Sequence, residues 1–289
     1  MTGHKLWKIS KAKKVKKNEM HTVKYAELKT HFDQVLCLAV SSDSKYLATG
    51  GVDKLIHIWD IENQKHVKCF RHHKDAVTGL AFKIGSDTLY SCSLDRTLAV
   101  WNIENMSYVE SLFGHQDCVS ALDCLARERV VSVGQRDRTA RVWKIVEESQ
   151  LVFNGTLDAG SCFDTVKCVD EEFFITGSDN GSIILWSSNK KKHVFKSSTN
   201  SPIHSLATLP FSNVFVSASN DGFVTFWKIS ENCKSFEKLF QYPIDGFINS
   251  MSISSDGTML AVAYGKEMRL GRWDVNKSFH NGLILLKLK

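Results

Sequence analysis

The sequence predicts an all-β fold assembled from repeated four-stranded sheets, and three observations predict it. The seven tryptophans stand at positions 7, 59, 101, 143, 186, 227 and 273, so the successive gaps are 52, 42, 42, 43, 41 and 46 residues. Around them, short runs of alternating apolar residues are separated by polar turns, the pattern of strands rather than of helices. Hydrophobic residues make up 43% and charged residues 24%, with only three prolines, which is the balance of a folded domain and not of a disordered chain. A period in the low forties with short strands between turns is that of a β-propeller, each repeat being one antiparallel blade.

In chain order, Trp7 falls where a blade's third strand would stand. A basic loop follows (Lys11, Lys13, Lys14, Lys16, Lys17), then a candidate fourth strand from Met20 to Leu28. Residues 1–30 therefore read as the second half of a first blade, 31–281 as blades two to seven, and 282–289 as a closing fourth strand, all in one propeller domain over 1–289. Seven blades are expected, the first incomplete and two strands short of a closed ring. An open ring leaves strand edges and an apolar blade face exposed, so missing N-terminal sequence is expected. A true start at Met1, with the gap tolerated or the strands rearranged, is the alternative.

One unit recurs around the tryptophans: GGVDKLIHIWD (50–60), SCSLDRTLAVWN (91–102), SVGQRDRTARVWK (132–144), GSDNGSIILWS (177–187) and SASNDGFVTFWK (217–228). Small residues end one strand, an acidic or amide residue sits in a tight turn, and an alternating strand carries the tryptophan. This resembles the WD40 family across nearly the whole chain. In that family the turn aspartate, a histidine of the preceding loop, a strand hydroxyl and the tryptophan form a buried hydrogen-bonded network. The resemblance implies such networks for His31, Asp53 and Trp59, for His73, Asp95 and Trp101, and for His115, Asp137 and Trp143, all with spacings of 22 and 6 residues. The implied hydroxyls are Thr49, Ser91 and Ser132. Later blades depart from the pattern, with Asp158 and Thr199 at the histidine position and Asn180, Asp221 and Glu267 at the turn position.

A histidine and an aspartate near a hydroxyl also suit a hydrolase. The same trio at three successive repeats argues for a structural bond and against a single catalytic centre. No phosphate-binding loop, dinucleotide fingerprint, zinc-protease helix or nucleophile elbow occurs. No enzyme activity, cofactor, metal or small-molecule substrate is expected. The eight cysteines form no CxxC pair and no His cluster has metal-ligand spacing, so they read as reduced thiols of a cytosolic or nuclear protein. No apolar run is long enough to span a membrane, and no membrane partner is expected.

The formal charge is +6. In an up-and-down blade the second-to-third-strand turns and the interblade connections share one face, which gathers Lys54, His72, Lys74, Arg96, Arg136 and Arg138. The opposite face gathers the lysine runs at 10–17 and 189–193. Arginines there could grip phosphates in a forked geometry. Against this, Asp53, Asp75, Asp95, Asp117 and Asp137 interleave with the basic residues, and base-stacking aromatics are absent from these turns. Both lysine runs have two readings, solvated loops or phosphate contacts, and the first also fits a nuclear import signal.

Several stretches resemble one branch of the family, the WD40 proteins associated with U3 small nucleolar RNA (the ribosomal RNA-processing protein nine family). They are SSDSKYLATG (41–50), KDAVTGLAF (74–82), SYVESLFGHQD (107–117), EESQLVF (147–153), GFINS (246–250) and RLGRW (269–273). The last two replace the ordinary blade landmarks and single out Arg269 and Arg272, either as RNA or partner contacts or, for Arg272, as a structural pair with Glu267 or a neighbouring blade. The resemblance implies a non-catalytic nucleolar scaffold bound to U3 RNA, beside the kink-turn-binding box C/D core protein and other processome proteins, in pre-ribosomal RNA processing toward 18S RNA. Relatives carry a charged N-terminal extension and complete first-blade strands, and NGTLDAGSCFD (154–164) stands where a GH-type loop is expected. The alternatives are a WD40 adaptor with protein partners only, such as a ubiquitin-ligase receptor or chromatin scaffold, and an enzyme built on a propeller, for which no unique constellation is found.

Overall fold

Apolar residues alternating along six-residue segments, reversed by polar turns, build the strands. In the computed structural model the described residues are 12–14, 30–155, 162–199, 201–209, 211–268 and 271–288. The chain divides into two compact units.

A short strand, β1 (Ala12–Lys14), comes first in the chain. The unit within Lys24–Val166 then holds three four-stranded sheets, each ordered as in the sequence. They are β2 (Val35–Val40), β3 (Tyr46–Gly51), β4 (Leu55–Asp60) and β5 (Lys65–Arg71); β6 (Val77–Phe82), β7 (Thr88–Ser93), β8 (Thr97–Asn102) and β9 (Ser107–Phe113); and β10 (Val119–Cys124), β11 (Arg129–Gly134), β12 (Thr139–Lys144) and β13 (Ser149–Asn154). Apolar clusters fill the space between neighbouring sheets: Ile56, Ile58 and Ala48 pack with Val77, Leu89 and Trp101, and Tyr90, Leu98 and Val100 pack with Val119, Val130 and Trp143. First strands are tied by side chain to backbone bonds, Thr78 Oγ1 to Val119 O at 2.6 Å and Ser120 Oγ to Phe163 O at 2.8 Å.

β14 (Phe163–Cys168) runs across the unit boundary and heads a fourth sheet with β15 (Phe173–Ser178), β16 (Ser182–Ser187) and β17 (Lys192–Ser198). The second unit continues with β18 (Ile203–Thr208), β19 (Val214–Ser219), β20 (Phe223–Ile229) and β21 (Phe236–Pro243), then β22 (Phe247–Ile253), β23 (Met259–Gly265), β24 (Glu267–Met268), β25 (Gly271–Val275) and β26 (Gly282–Leu288).

Here the sequence expectation is corrected. Among the described residues there are six four-stranded sheets, not seven blades. The sixth has the order β22, β23, β26, β1, with Leu286 opposite Leu260 and Ala12 opposite Leu288. The final strand thus takes the third place, not the fourth, and β1 completes the sheet. The segment expected in third place, around RLGRW, instead pairs with β24 in a separate two-stranded hairpin. Burial explains the exchange: Ile284, Leu286 and Leu288 alternate onto the core beside Leu260 and Val262, which a run carrying two arginines and a glycine cannot match. The expected fourth strand at Met20–Leu28, Trp7 and most of the first basic run lie outside the described residues.

A bulge falls immediately before the tryptophan of β4, β8, β16 and β20, where each meets its fourth strand. It locally increases strand twist and re-aims the following side chain. All eight cysteines are free.

Candidate nucleic-acid and partner interface

The basic face of the first unit is built on three copies of one turn. Asp53-Lys54, Asp95-Arg96 and Asp137-Arg138 link second to third strands, and each basic residue has positive φ, at 68°, 72° and 54°. A side chain in the left-handed region costs about 1 kcal/mol or more unless its surroundings hold it there. The aspartate supplies the hold. One carboxylate oxygen accepts from the N–H two residues on, at 3.2 Å from Leu55, 3.0 Å from Thr97 and 3.0 Å from Thr139. The other accepts from the preceding interblade loop, through the N–H of Phe32, Lys74 and Gln116.

The same oxygen takes the histidine Nδ1, at 2.8 Å for His31–Asp53, 3.0 Å for His73–Asp95 and 2.7 Å for His115–Asp137. Each Nε2 meets the strand hydroxyl of Thr49, Ser91 or Ser132 at 2.8–2.9 Å. That oxygen also accepts from Nε1 of Trp59, Trp101 or Trp143 at 2.8–3.1 Å. Every polar atom of the chain from carboxylate to indole is paired, as a buried network requires. Burial works against the Asp95 and Asp137 carboxylates. Hydrogen bonds from His73 and Thr97, and from His115 and Thr139, outweigh it and hold both pKa values below the usual range.

The hydroxyl oxygens accept a tryptophan proton inside the sheet, so they are in no position to attack a substrate. The network does a different job: it clamps a loop and a turn together and presents the basic residues between them. Arg96, Arg136 and Arg138 are exposed, and their side chains make no hydrogen bond or ion pair with a described residue. Lys54 is exposed but spends its ammonium on the carbonyl of Lys74 at 2.8 Å, which leaves the exposed Lys74 side chain as the free cation of that pair. His72 turns away, its Nε2 at 2.8 Å from Ser111 Oγ and its ring 4.3 Å from Tyr108, with burial as the first cause of a lowered pKa. Lys190, Lys191 and Lys192 are exposed at the turn from β16 to β17. Arg269 and Asp158 lie outside the described residues; Arg272 is in β25, with its side chain outside them.

The second unit keeps half of the network. Trp186 Nε1 donates to Thr176 Oγ1 and Trp227 Nε1 to Ser217 Oγ, each at 2.8 Å. Those hydroxyls went unremarked in the sequence although they stand ten residues before their tryptophans, as Thr49 and Ser91 do. The histidine half is gone: Thr199 Oγ1 donates to backbone carbonyls, and Asn180 and Asp221 accept from Ser178 and Ser219. Glycine replaces the basic turn residue, Gly181 at φ 79° and Gly222 at φ 81°. The forked cations of this turn are therefore a property of the first unit alone.

The chain is similar to known proteins along most of its length. The family model described as "WD domain, G-beta repeat" matches residues 22–60, 64–102, 106–144, 152–187 and 189–228. U3 small nucleolar RNA-interacting protein 2 of Mus musculus is 45% identical over 300 residues, covering all of this chain and 61% of that protein. Ribosomal RNA-processing protein 9 of Saccharomyces cerevisiae is 33% identical over 155 residues, 40% of this chain and 27% of that protein. A solved structure described as the crystal structure of RRP9 WD40 repeats superimposes with a TM-score of 0.87 at 41% identity, covering 91% of this chain and 82% of that one. The chain spans less than two thirds of the length of these curated relatives, about three fifths of the mouse protein.

Proposed function

This chain belongs to the WD40-repeat family, in the branch of the U3 small nucleolar RNA-associated proteins, and from that premise we propose that it is a non-catalytic scaffold of the U3 small nucleolar ribonucleoprotein. It binds U3 RNA and the kink-turn-binding box C/D core protein, and serves pre-ribosomal RNA processing toward 18S RNA in the nucleolus. The observation that carries the reading is 45% identity, along the whole chain, to a protein named for interacting with U3 RNA.

The geometry supports it by supplying a set of exposed cations on one face of the first unit. Arg96, Arg136 and Arg138, with Lys74, project from turns and loops whose backbone the network clamps, with Lys54 turned onto the Lys74 carbonyl, and guanidinium forks suit phosphate oxygens. Contacts of that kind bind phosphates and fix register without reading sequence, so specificity would come from RNA shape and partner proteins. Arg269 and Arg272 belong to the same proposal through the branch-specific RLGRW segment. Buried trios that serve as acceptors for tryptophan leave no activated nucleophile, which supports a scaffold over an enzyme.

The test is recovery of RNA with the tagged chain from nuclear extract at moderate and at high salt. U3 RNA that persists as salt rises is the expected result, because purely electrostatic attachment weakens steeply with salt. Recovery of protein partners without U3 RNA would replace this reading with the protein-only adaptor.

A further inference from the structure

The sheet formed by β2 to β5 carries a side-chain cluster that the other two sheets of its unit lack. We propose that His31, Asp53 and His57 form a binding site for one divalent transition cation of the zinc type, with His66 positioning His57. One ligand atom from each of the three lies within 4.8 Å of the others. His57 is only 5% exposed, and its Nε2 has no hydrogen-bond partner among the described residues. An unpaired imidazole nitrogen in a buried place is unfavourable and calls for an occupant. Its other nitrogen, Nδ1, sits 2.8 Å from Nε2 of the exposed His66. When Nδ1–H donates to His66, the Nε2 lone pair is left bare and held toward His31, whose ring centre is 4.5 Å away.

The register of the other sheets isolates what is special. Opposite Ser91, where His57 faces Thr49, stands Ala99; opposite Ser132 stands Arg141, which spends its guanidinium on Gln150 and Thr139. Opposite Trp101 and Trp143, where His66 faces Trp59, stand Tyr108 and Gln150. All three sheets keep the histidine–aspartate pair, but the two extra imidazoles occur together in this one. The structural network therefore does not account for them.

Proton bookkeeping allows the site. As the network stands, His31 donates Nδ1–H to Asp53 and accepts from Thr49 at Nε2. Moving that proton to Nε2 lets it donate to Thr49 Oγ1, which still accepts from Trp59 Nε1, while the Thr49 hydroxyl proton rotates away. The Nδ1 lone pair then joins Asp53 Oδ2 and His57 Nε2 around the cation, His31 stays neutral, and no proton leaves. Asp53 Oδ1 keeps its bond from the N–H of Leu55. Zinc bonds near 2.0–2.2 Å place tetrahedral ligands about 3.3 Å apart, so the pair at 2.8 Å opens slightly and the other separations, all within 4.8 Å, close by at most about 1.5 Å through side-chain rotation. Water takes the fourth place. Two imidazoles and one carboxylate suit zinc, cobalt or nickel over calcium or magnesium.

Cobalt(II) titration of the whole purified chain, kept reduced, tests this. The expected result is one equivalent showing visible d–d absorption of a tetrahedral nitrogen and oxygen site without the thiolate charge-transfer band, displaced by zinc. H57A should abolish it; that variant retains all eight cysteines and all three histidine–aspartate pairs, and alanine is what β8 carries at the same place. H66Y, copying β9, should weaken binding about tenfold or more, as loss of an orienting partner does. Should H57A fail to fold, imidazole nitrogen NMR of the unaltered chain decides instead, with His57 Nε2 moving on addition of zinc. A wild-type spectrum no different from aqueous cobalt, absorption that survives in folded H57A, or an unmoved Nε2 would overturn the proposal.

Discussion

Removing the Asp95 carboxylate tests whether the histidine–aspartate network holds the basic face. Asp95 accepts from His73 Nδ1, from the N–H of Lys74 and from both N–H and hydroxyl of Thr97. Asp95→Ala strands all four donors. Lys74 is exposed and can turn to water, but the His73 side chain is 1% exposed and its Nδ1–H keeps only a long contact with the Thr97 hydroxyl, at 3.5 Å. One buried donor left unpaired costs about 1–3 kcal/mol, and the lost turn bonds add roughly 1 kcal/mol more, so the variant should lose about 2–4 kcal/mol. The Asp95→Asn change, which can still serve the turn as Asn180 does for the Ser182 N–H, should cost less. Urea unfolding followed by tryptophan fluorescence measures both, and a His73→Ala, Asp95→Ala double variant should show clear non-additivity. If Asp95→Ala falls within about 0.5 kcal/mol of the unaltered chain, the clamp is not where stability resides and the reasoning fails.

Three further outcomes follow from the same geometry. Asp95 and Asp137 titrate below the unfolded carboxylate value of about 3.9, so the unfolded chain takes up protons first as pH falls. The stability they contribute is complete above that value and is lost as pH drops through the folded values, at up to about 1.4 kcal/mol per pH unit for each group; urea midpoints that stay flat below about pH 4 would contradict this. Gly181→Ala should destabilise by about 2 kcal/mol or more, because φ is 79° and the added Cβ would lie 2.3 Å from the Thr199 carbonyl oxygen; a melting temperature like that of the unaltered chain would refute it. Conversely, Arg96→Gly with Arg138→Gly places at those turns the residue that Gly181 and Gly222 already provide. Thermal stability should hold while the salt dependence of U3 RNA binding shrinks by about 0.7–0.9 per lost phosphate contact, and an unchanged slope would remove these arginines from the interface.

The repeat was legible because Trp59, Trp101, Trp143, Trp186 and Trp227 each mark the third strand of a four-stranded sheet, and the resemblance to WD40 repeats, with its 22-and-6 spacing, implied the three histidine–aspartate pairs. The sixth sheet was not legible, because the choice of third strand is a competition between two segments of one chain. Ile284, Leu286 and Leu288 win it by burial, which no local pattern around Trp273 reveals. His57 and His66 were missed for a different reason. The bulge between Ile58 and Trp59 shifts register by one residue and sets His66 against Trp59, within reach of His57, and bulges leave no mark in composition or periodicity. Exposure separated the binding candidates in a way sequence could not: Arg96, Arg136 and Arg138 are exposed without a partner among the described residues, whereas Lys54 and His72 are drawn into bonds with Lys74 and Ser111.

The central claim, that this chain holds U3 RNA through the basic turns of its first unit, is reached most directly by ultraviolet crosslinking of the tagged chain in nuclear extract, with mapping of the crosslinked peptides. The account expects U3 RNA joined to peptides that contain Lys74, Arg96 and the 136–138 turn, and expects these crosslinks to fade in the arginine-to-glycine variant. U3 RNA crosslinked only elsewhere on the chain, or no U3 RNA crosslinked at all, would contradict it.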